Sequence, residues 1–151
     1  MEPDSYSHVQ TSPARYVLLV IIVVSLLAGW LWRAEFWAWF SMVALAGVSA
    51  LVLLTMTTMT IQGNAEELWV RFGPMPLFST RIRFEDIRSF RATRSRVVDG
   101  WGIHYLPGRG WTWSLWGFDC VDIDLARGSI RLGTDDPENL AAFLRSQTSL
   151  S

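Results

Sequence analysis

The 151-residue chain is 50% hydrophobic, carries nine tryptophans, and has 13 basic residues against 14 acidic ones, a net charge of −1. That balance argues against nucleic acid as a ligand, and a single cysteine, Cys120, excludes an intramolecular disulfide and supplies no metal-binding spacing. Length points to one domain with attachments, and the apolar content is high for a soluble domain of this size.

The apolar residues are concentrated in residues 16–60, where the only charges are Arg33 and Glu35. Residues 1–15 read as a disordered tail. From Val17 to Leu27 only Ser25 interrupts a run of strongly membrane-inserting side chains, which together favour insertion by about 3–6 kcal/mol. As a helix, Tyr16–Trp32 rises about 25 Å, a little short of a hydrocarbon core of about 30 Å, and Tyr16, Trp30 and Trp32 extend it into the interface. A second stretch, Phe36–Thr60, is long enough to span with tilt, and Thr55, Thr57, Thr58 and Thr60 soften its end.

Only Arg33, Ala34 and Glu35 separate the two runs, so the helices are expected to be antiparallel neighbours. The connection is flanked by Trp30, Trp32, Phe36, Trp37 and Trp39, an aromatic belt at one membrane face. A cleaved signal peptide does not fit: no small-residue cleavage site follows the first run, and a second apolar run comes directly after it. Two spans put both termini on one side. Arg71 and Arg81 soon after the second span, and the free Cys120, place that side in the cytoplasm of an inner (cell) membrane protein. Ala46, Gly47 and Ala50 form a small-residue patch suited to close helix packing, within the hairpin or in a homo-oligomer.

From Ala65 onward the period changes to that of strands. Leu68, Val70 and Phe72 alternate with polar or aromatic neighbours until Gly73-Pro74; Arg81 and Arg83 alternate with Ile82 and Phe84; Ile87–Val98 forms a longer extended stretch after Glu85-Asp86. Asp99-Gly100 signals a turn, and Pro107-Gly108-Arg109-Gly110 turns between Trp101–Leu106 and Trp111–Leu115. Val121, Ile123 and Leu125 alternate with aspartates, and Ser129–Leu132 follows the Arg127-Gly128 turn. The last element is a helix, with Asp136 as N-cap, Pro137 at its first position, and Leu140, Phe143 and Leu144 on one face. The expected architecture is a membrane helical hairpin joined to a mainly β domain of about seven antiparallel strands with a C-terminal capping helix.

That order of elements is the order of the pleckstrin-homology-like fold. Residues 62–148 resemble the bacterial PH-like domains attached to membrane hairpins. The likeness rests on Phe84-Glu85-Asp86-Ile87 ahead of a long strand, Gly100-Trp101-Gly102-Ile103 opening a hairpin, and the ending Ile130-Arg131-Leu132-Gly133-Thr134-Asp135-Asp136-Pro137-Glu138-Asn139-Leu140. The resemblance implies a module without assigned chemistry. Eukaryotic counterparts bind phosphoinositides through basic residues between their first two strands; here that loop, Gly73-Pro74-Met75-Pro76-Leu77-Phe78, has none, so the site is not carried over.

Charge is segregated along the domain. Residues 71–96 hold Arg71, Arg81, Arg83, Arg88, Arg91, Arg94 and Arg96 against Glu85 and Asp86, whereas residues 119–138 hold six acids against Arg127 and Arg131. Two readings stay open: a basic face resting on anionic lipid or an acidic partner, or a solvated face paired internally with the acidic strands. Arg81, Arg83, Arg91, Arg94 and Arg96 are the candidate contact residues, joined by Trp111 and Trp113, which share a strand face as core or as an exposed apolar patch. No metal site is expected from Asp119, Asp122 and Asp124, no cofactor is implied, and no catalytic residue stands out; a Cys120–His104 pair is left as an option of the fold. The expected function is a non-enzymatic membrane-tethered binding or scaffold module that contacts a membrane protein, a second copy or the lipid surface. The alternatives are a structural subunit of a larger membrane complex and an accessory to a membrane enzyme or transporter.

Overall fold

The structure, a computed structural model, describes residues 5–75, 77–96 and 100–148. Two apolar helices, α1 (Ala14–Leu31) and α2 (Phe36–Met56), pack as an antiparallel hairpin beside a mainly β domain. Both are long and apolar enough to cross a membrane, and only 11% and 17% of their apolar windows are buried. A core helix of a soluble protein would hide most of that surface. Their seam is made of small residues: Ser25 and Gly29 on α1, Ala46 and Ser49 on α2. Ala46 thus takes the packing role expected of the Ala46-Gly47-Ala50 patch, whereas Gly47 points into open space. Residues at i and i+3 share a helix face and adjacent residues do not, so Ser49 replaces Gly47.

The tail expected over residues 1–15 is corrected by strand β1 (Tyr6–Thr11) and by the start of α1 at Ala14, while residues 1–4 lie outside the described residues. It pairs antiparallel with β2 (Thr58–Gly63), from Tyr6 opposite Gly63 to Thr11 opposite Thr58, and Ser12 N–H donates to the Thr57 carbonyl at 2.8 Å to close the ladder. Of the threonines expected at the end of the second span, Thr58 and Thr60 belong to a strand, while Thr55 stays in α2, which stops at Met56 with Thr57 as its C-cap. β-branched threonine fits a half-buried strand better than a helix.

The first sheet continues with β3 (Glu67–Phe72) and β4 (Phe78–Arg83) in the order β1-β2-β3-β4, all antiparallel. After a 3-10 turn at Phe84–Asp86, the second sheet comprises β5 (Ile87–Arg94), β6 (Gly102–Leu106), β7 (Gly110–Ser114), β8 (Asp119–Leu125) and β9 (Ser129–Gly133), ordered β5-β8-β9-β7-β6. The seven expected strands all form; β1 and β2 bring the described total to nine, and β7 pairs with β9 in parallel rather than antiparallel fashion. The segment after β7 carries the chain one strand too far, and β9 returns to fill the gap. Gly133 permits this close approach, because a Cβ there would collide with the Ser114 side chain. Gly108 and Gly128 take the positive φ their turns need, at 78° and 90°. The expected Ile87–Val98 stretch is seen as a strand over Ile87–Arg94; its end at residues 97–98 and the expected turn residue Asp99 lie outside the described residues.

The core joins both sheets and helix α3 (Pro137–Gln147): Met59, Ile61, Val70, Phe72, Ile123, Leu132, Leu140, Phe143 and Leu144 are all nearly inaccessible. Asp136 occupies the N-cap position and Pro137 the first turn, yet the Asp136 carboxylate accepts from Tyr6 Oη and Asn139 Nδ2 rather than capping the helix backbone. Tyr6 also stacks on Phe143, with ring centroids 5.5 Å apart, and His8 Nε2 lies 2.6 Å from Asp135 Oδ1. β1 is thereby clamped to the start of α3. Replacing Tyr6 by Ala is expected to lower unfolding free energy by about 2 kcal/mol in chemical denaturation of the detergent-solubilised chain; a loose tail would give no change.

Candidate functional site

The arginines singled out in the sequence divide between two places. Arg81 and Arg83 stand on β4, where Arg81 meets Glu67 at 3.3 Å and Arg83 meets Glu85 at 2.7 Å. The Arg81 guanidinium also lies 5.2 Å from the Trp69 ring centroid, with Arg71 at 5.4 Å from the same ring. Arg91, Arg94 and Arg96 lie on or just after β5 and border one polar pocket of about 430 Å³ with Arg109, Arg131, Asp122 and Asp124.

This pocket lies on the outer face of the second sheet. The register sets Arg91 opposite Asp122, Asp122 opposite Arg131, Arg131 opposite Thr112 and Thr112 opposite His104, one polar file across all five strands. Arg131 donates through Nε to Asp122 Oδ1 at 2.6 Å and through a terminal nitrogen to Oδ2 at 2.9 Å, a two-pronged pair only 12% exposed on the arginine side. Arg94 lies 3.6 Å from Asp119. The basic and acidic segments, well separated along the chain, thus become neighbours because β5 and β9 flank β8.

Trp111 and Trp113 do share a face, and it turns toward the space between the sheets. Trp113 is half-buried against the core, its ring centroid 5.8 Å from that of Phe72, while Trp111 is 51% exposed and packs edge-on against Tyr105. Together with Ile82, Leu125 and Ile130 they line a cleft of about 610 Å³, bordered also by Thr80, Arg81, Arg127 and Ser129. One wall is β4, which ends its sheet and, among the described residues, has no strand neighbour on one side of its backbone. The volume suits a ligand site, and the lining is mainly apolar with a few polar groups at the rim. Tyr105, Arg127 and Leu125 escaped sequence reasoning, because nothing local says which strands will face β4.

The residues able to do nucleophilic chemistry are not assembled. Cys120 on β8 and His104 on β6 stand three strand positions apart, about 14 Å at the usual strand spacing. The Cys120 thiol is buried and donates to the Thr93 carbonyl at 3.5 Å; burial pushes its pKa up to about 11, with Arg131 opposing the shift. Among the described residues, no group of three His, Cys, Asp or Glu side chains is placed to hold a metal ion. No protein-family model matches the chain, and no curated protein matches it.

Two measurements test this arrangement. The fold holds Cys120 as the neutral thiol, so its contribution to stability is present below about pH 9 and is lost as pH rises toward 11. Maleimide should accordingly label native Cys120 at least about a hundredfold more slowly than the unfolded chain at neutral pH. Asp122→Ala, which takes the carboxylate from a nearly buried guanidinium, should cost about 3 kcal/mol in unfolding experiments. Glu85→Ala, which breaks an exposed pair, should cost less than about 0.5 kcal/mol.

Proposed function

We propose that the protein is a non-enzymatic binding module held at the cytoplasmic face of a cell membrane, with α1 and α2 crossing the bilayer as a hairpin. The apolar outer surface of both helices supports the anchor: Val20, Val23, Val24 and Leu27 on α1 and Val48, Leu51 and Leu54 on α2 are all exposed. Arg15 in the first turn of α1 and Arg71 after α2 support the cytoplasmic side. The helix-capped β domain agrees with the resemblance to bacterial PH-like modules, although the parallel β7–β9 pair sets its topology apart from the seven all-antiparallel strands that resemblance implies.

The ligand we assign is an extended segment of a membrane-protein partner. The cleft beside β4 is the observation that carries this reading. An added strand can take its backbone hydrogen bonds from the free edge of β4 and place an apolar side chain between Trp111, Trp113 and Ile130. Arg127, at the rim, favours a segment with an acidic residue near that anchor. Lipid binding through the basic strands is the weaker reading, because Arg81, Arg83, Arg94 and Arg131 each already have a carboxylate partner. Tethering compensates for a modest affinity by raising the local concentration of the partner.

The test is site-directed photocrosslinking in membranes from the source cells. A photoreactive residue at Thr80 should yield one discrete adduct, and the same residue at Arg88, on β5 away from the cleft, should yield none. Trp111→Ala should weaken recovery of the adduct about tenfold or more, as loss of a buried aromatic anchor does. Equal labelling from Thr80 and Arg88 would remove the cleft from consideration.

A further inference from the structure

The end of the β domain nearest the helices is apolar, and its placement says what it meets. Gly73 N–H donates to the Thr58 carbonyl at 2.8 Å, and a Cβ on Gly73 would run into the Leu54 carbonyl and the Thr55 backbone. The β3–β4 turn therefore lies flush against the last turn of α2. Met75 and Leu77 in this turn and Phe78 at the start of β4 are 49%, 60% and 42% exposed.

The second sheet adds to the same end. Gln10, two residues before the ladder closes at Ser12, donates through Nε2 to the Trp116 carbonyl at 3.1 Å. Trp101 donates through Nε1 to the next carbonyl along, Gly117, at 3.0 Å. Trp101 is 61% exposed and Trp116 37%. The opposite end of β2 and β3 is polar, a turn in which Asn64 Oδ1 accepts from the backbone N–H groups of Glu66 and Glu67.

We propose that Met75, Leu77, Phe78, Trp101 and Trp116 form a docking platform that enters the headgroup–acyl boundary of the leaflet from which the helices emerge. The occupant is the phospholipid bilayer itself, because the β3–β4 turn is continuous with the helix that would cross it. Tryptophan and phenylalanine suit that boundary, where an apolar ring is buried and an indole N–H stays near polar groups. The platform deepens the proposed anchoring: the helices and the domain joined to them can still tilt together as one body in the bilayer, whereas a second contact holds the β4 cleft at a set height and orientation. This inference rests on α1 and α2 spanning the bilayer.

Spin labels on the full-length chain in phosphatidylcholine–phosphatidylglycerol vesicles test it. Labels go on Leu77→Cys, Met75→Cys, Val23→Cys in the middle of α1, and Arg127→Cys at the cleft; the unsubstituted chain serves as blank for Cys120. Collision with oxygen, which partitions into lipid, is compared with collision with a water-soluble nickel chelate. The expected result is that Leu77→Cys and Met75→Cys are oxygen-accessible and shielded from nickel, as Val23→Cys is, while Arg127→Cys is nickel-accessible. If both turn positions are as nickel-accessible as Arg127→Cys while Val23→Cys lies in lipid, the platform is refuted and the anchor stands. If both turn positions are shielded from oxygen and nickel alike, protein covers the patch and the platform is refuted. If Val23→Cys is itself exposed to nickel, the spanning hairpin fails and the platform with it.

Discussion

Six residue pairs hold this molecule together as one object. β1 precedes the helical hairpin and β2 follows it, and their antiparallel ladder from Tyr6–Gly63 to Thr11–Thr58 makes the two helices an insertion inside a β-hairpin. Both ends of the insertion must leave the sheet on the same side, and they are tied together at Ser12 and Thr57. A helix joined to a domain by one flexible strand of chain can swivel; one joined through a closed ladder cannot without breaking backbone hydrogen bonds. The clamp of Tyr6 and His8 onto Asp135 and Asp136 carries the same constraint through to α3 and the core.

The second organising fact is electrostatic. β8 sits between β5 and β9, so its aspartates meet arginines on both sides, and the polar file from Arg91 to His104 follows from strand order and register together. A half-buried, two-pronged pair such as Arg131–Asp122 contributes more to uniqueness of register than a row of exposed ion pairs, because a slip of one residue would leave a guanidinium without its carboxylate. Much of the positive charge in residues 71–96 is thus already answered within the domain. In the aromatic cleft, by contrast, Trp111 and Tyr105 remain half-exposed beside β4, the last strand of its sheet among the described residues.

The two helices, the seven strands from Glu67 onward, the Gly108 and Gly128 turns and the start of α3 at Pro137 were all legible as local signals: apolar runs, alternation at period two, and residues that tolerate or enforce particular φ values. Each depends on residues a few positions apart, which is what one chain read by itself contains. β1 was not legible because Tyr6–Thr11 is polar apart from Val9 and Tyr6, and Thr58–Gly63 lay at the fading end of an apolar run. Their strand character comes from each other, across 46 intervening residues.

The sequence by itself determined that this chain has an apolar helical pair, a β-rich remainder and a closing helix, because periodicity and turn chemistry are local properties of the backbone. Only the tertiary structure decided that the helices are spliced into a sheet, that β9 lies parallel to β7, that Arg131 belongs to Asp122, and that Trp111 looks into a cleft beside β4. Those are choices of neighbour, and neighbours are selected by burial and hydrogen bonding between segments far apart in the chain, where no short-range pattern records them.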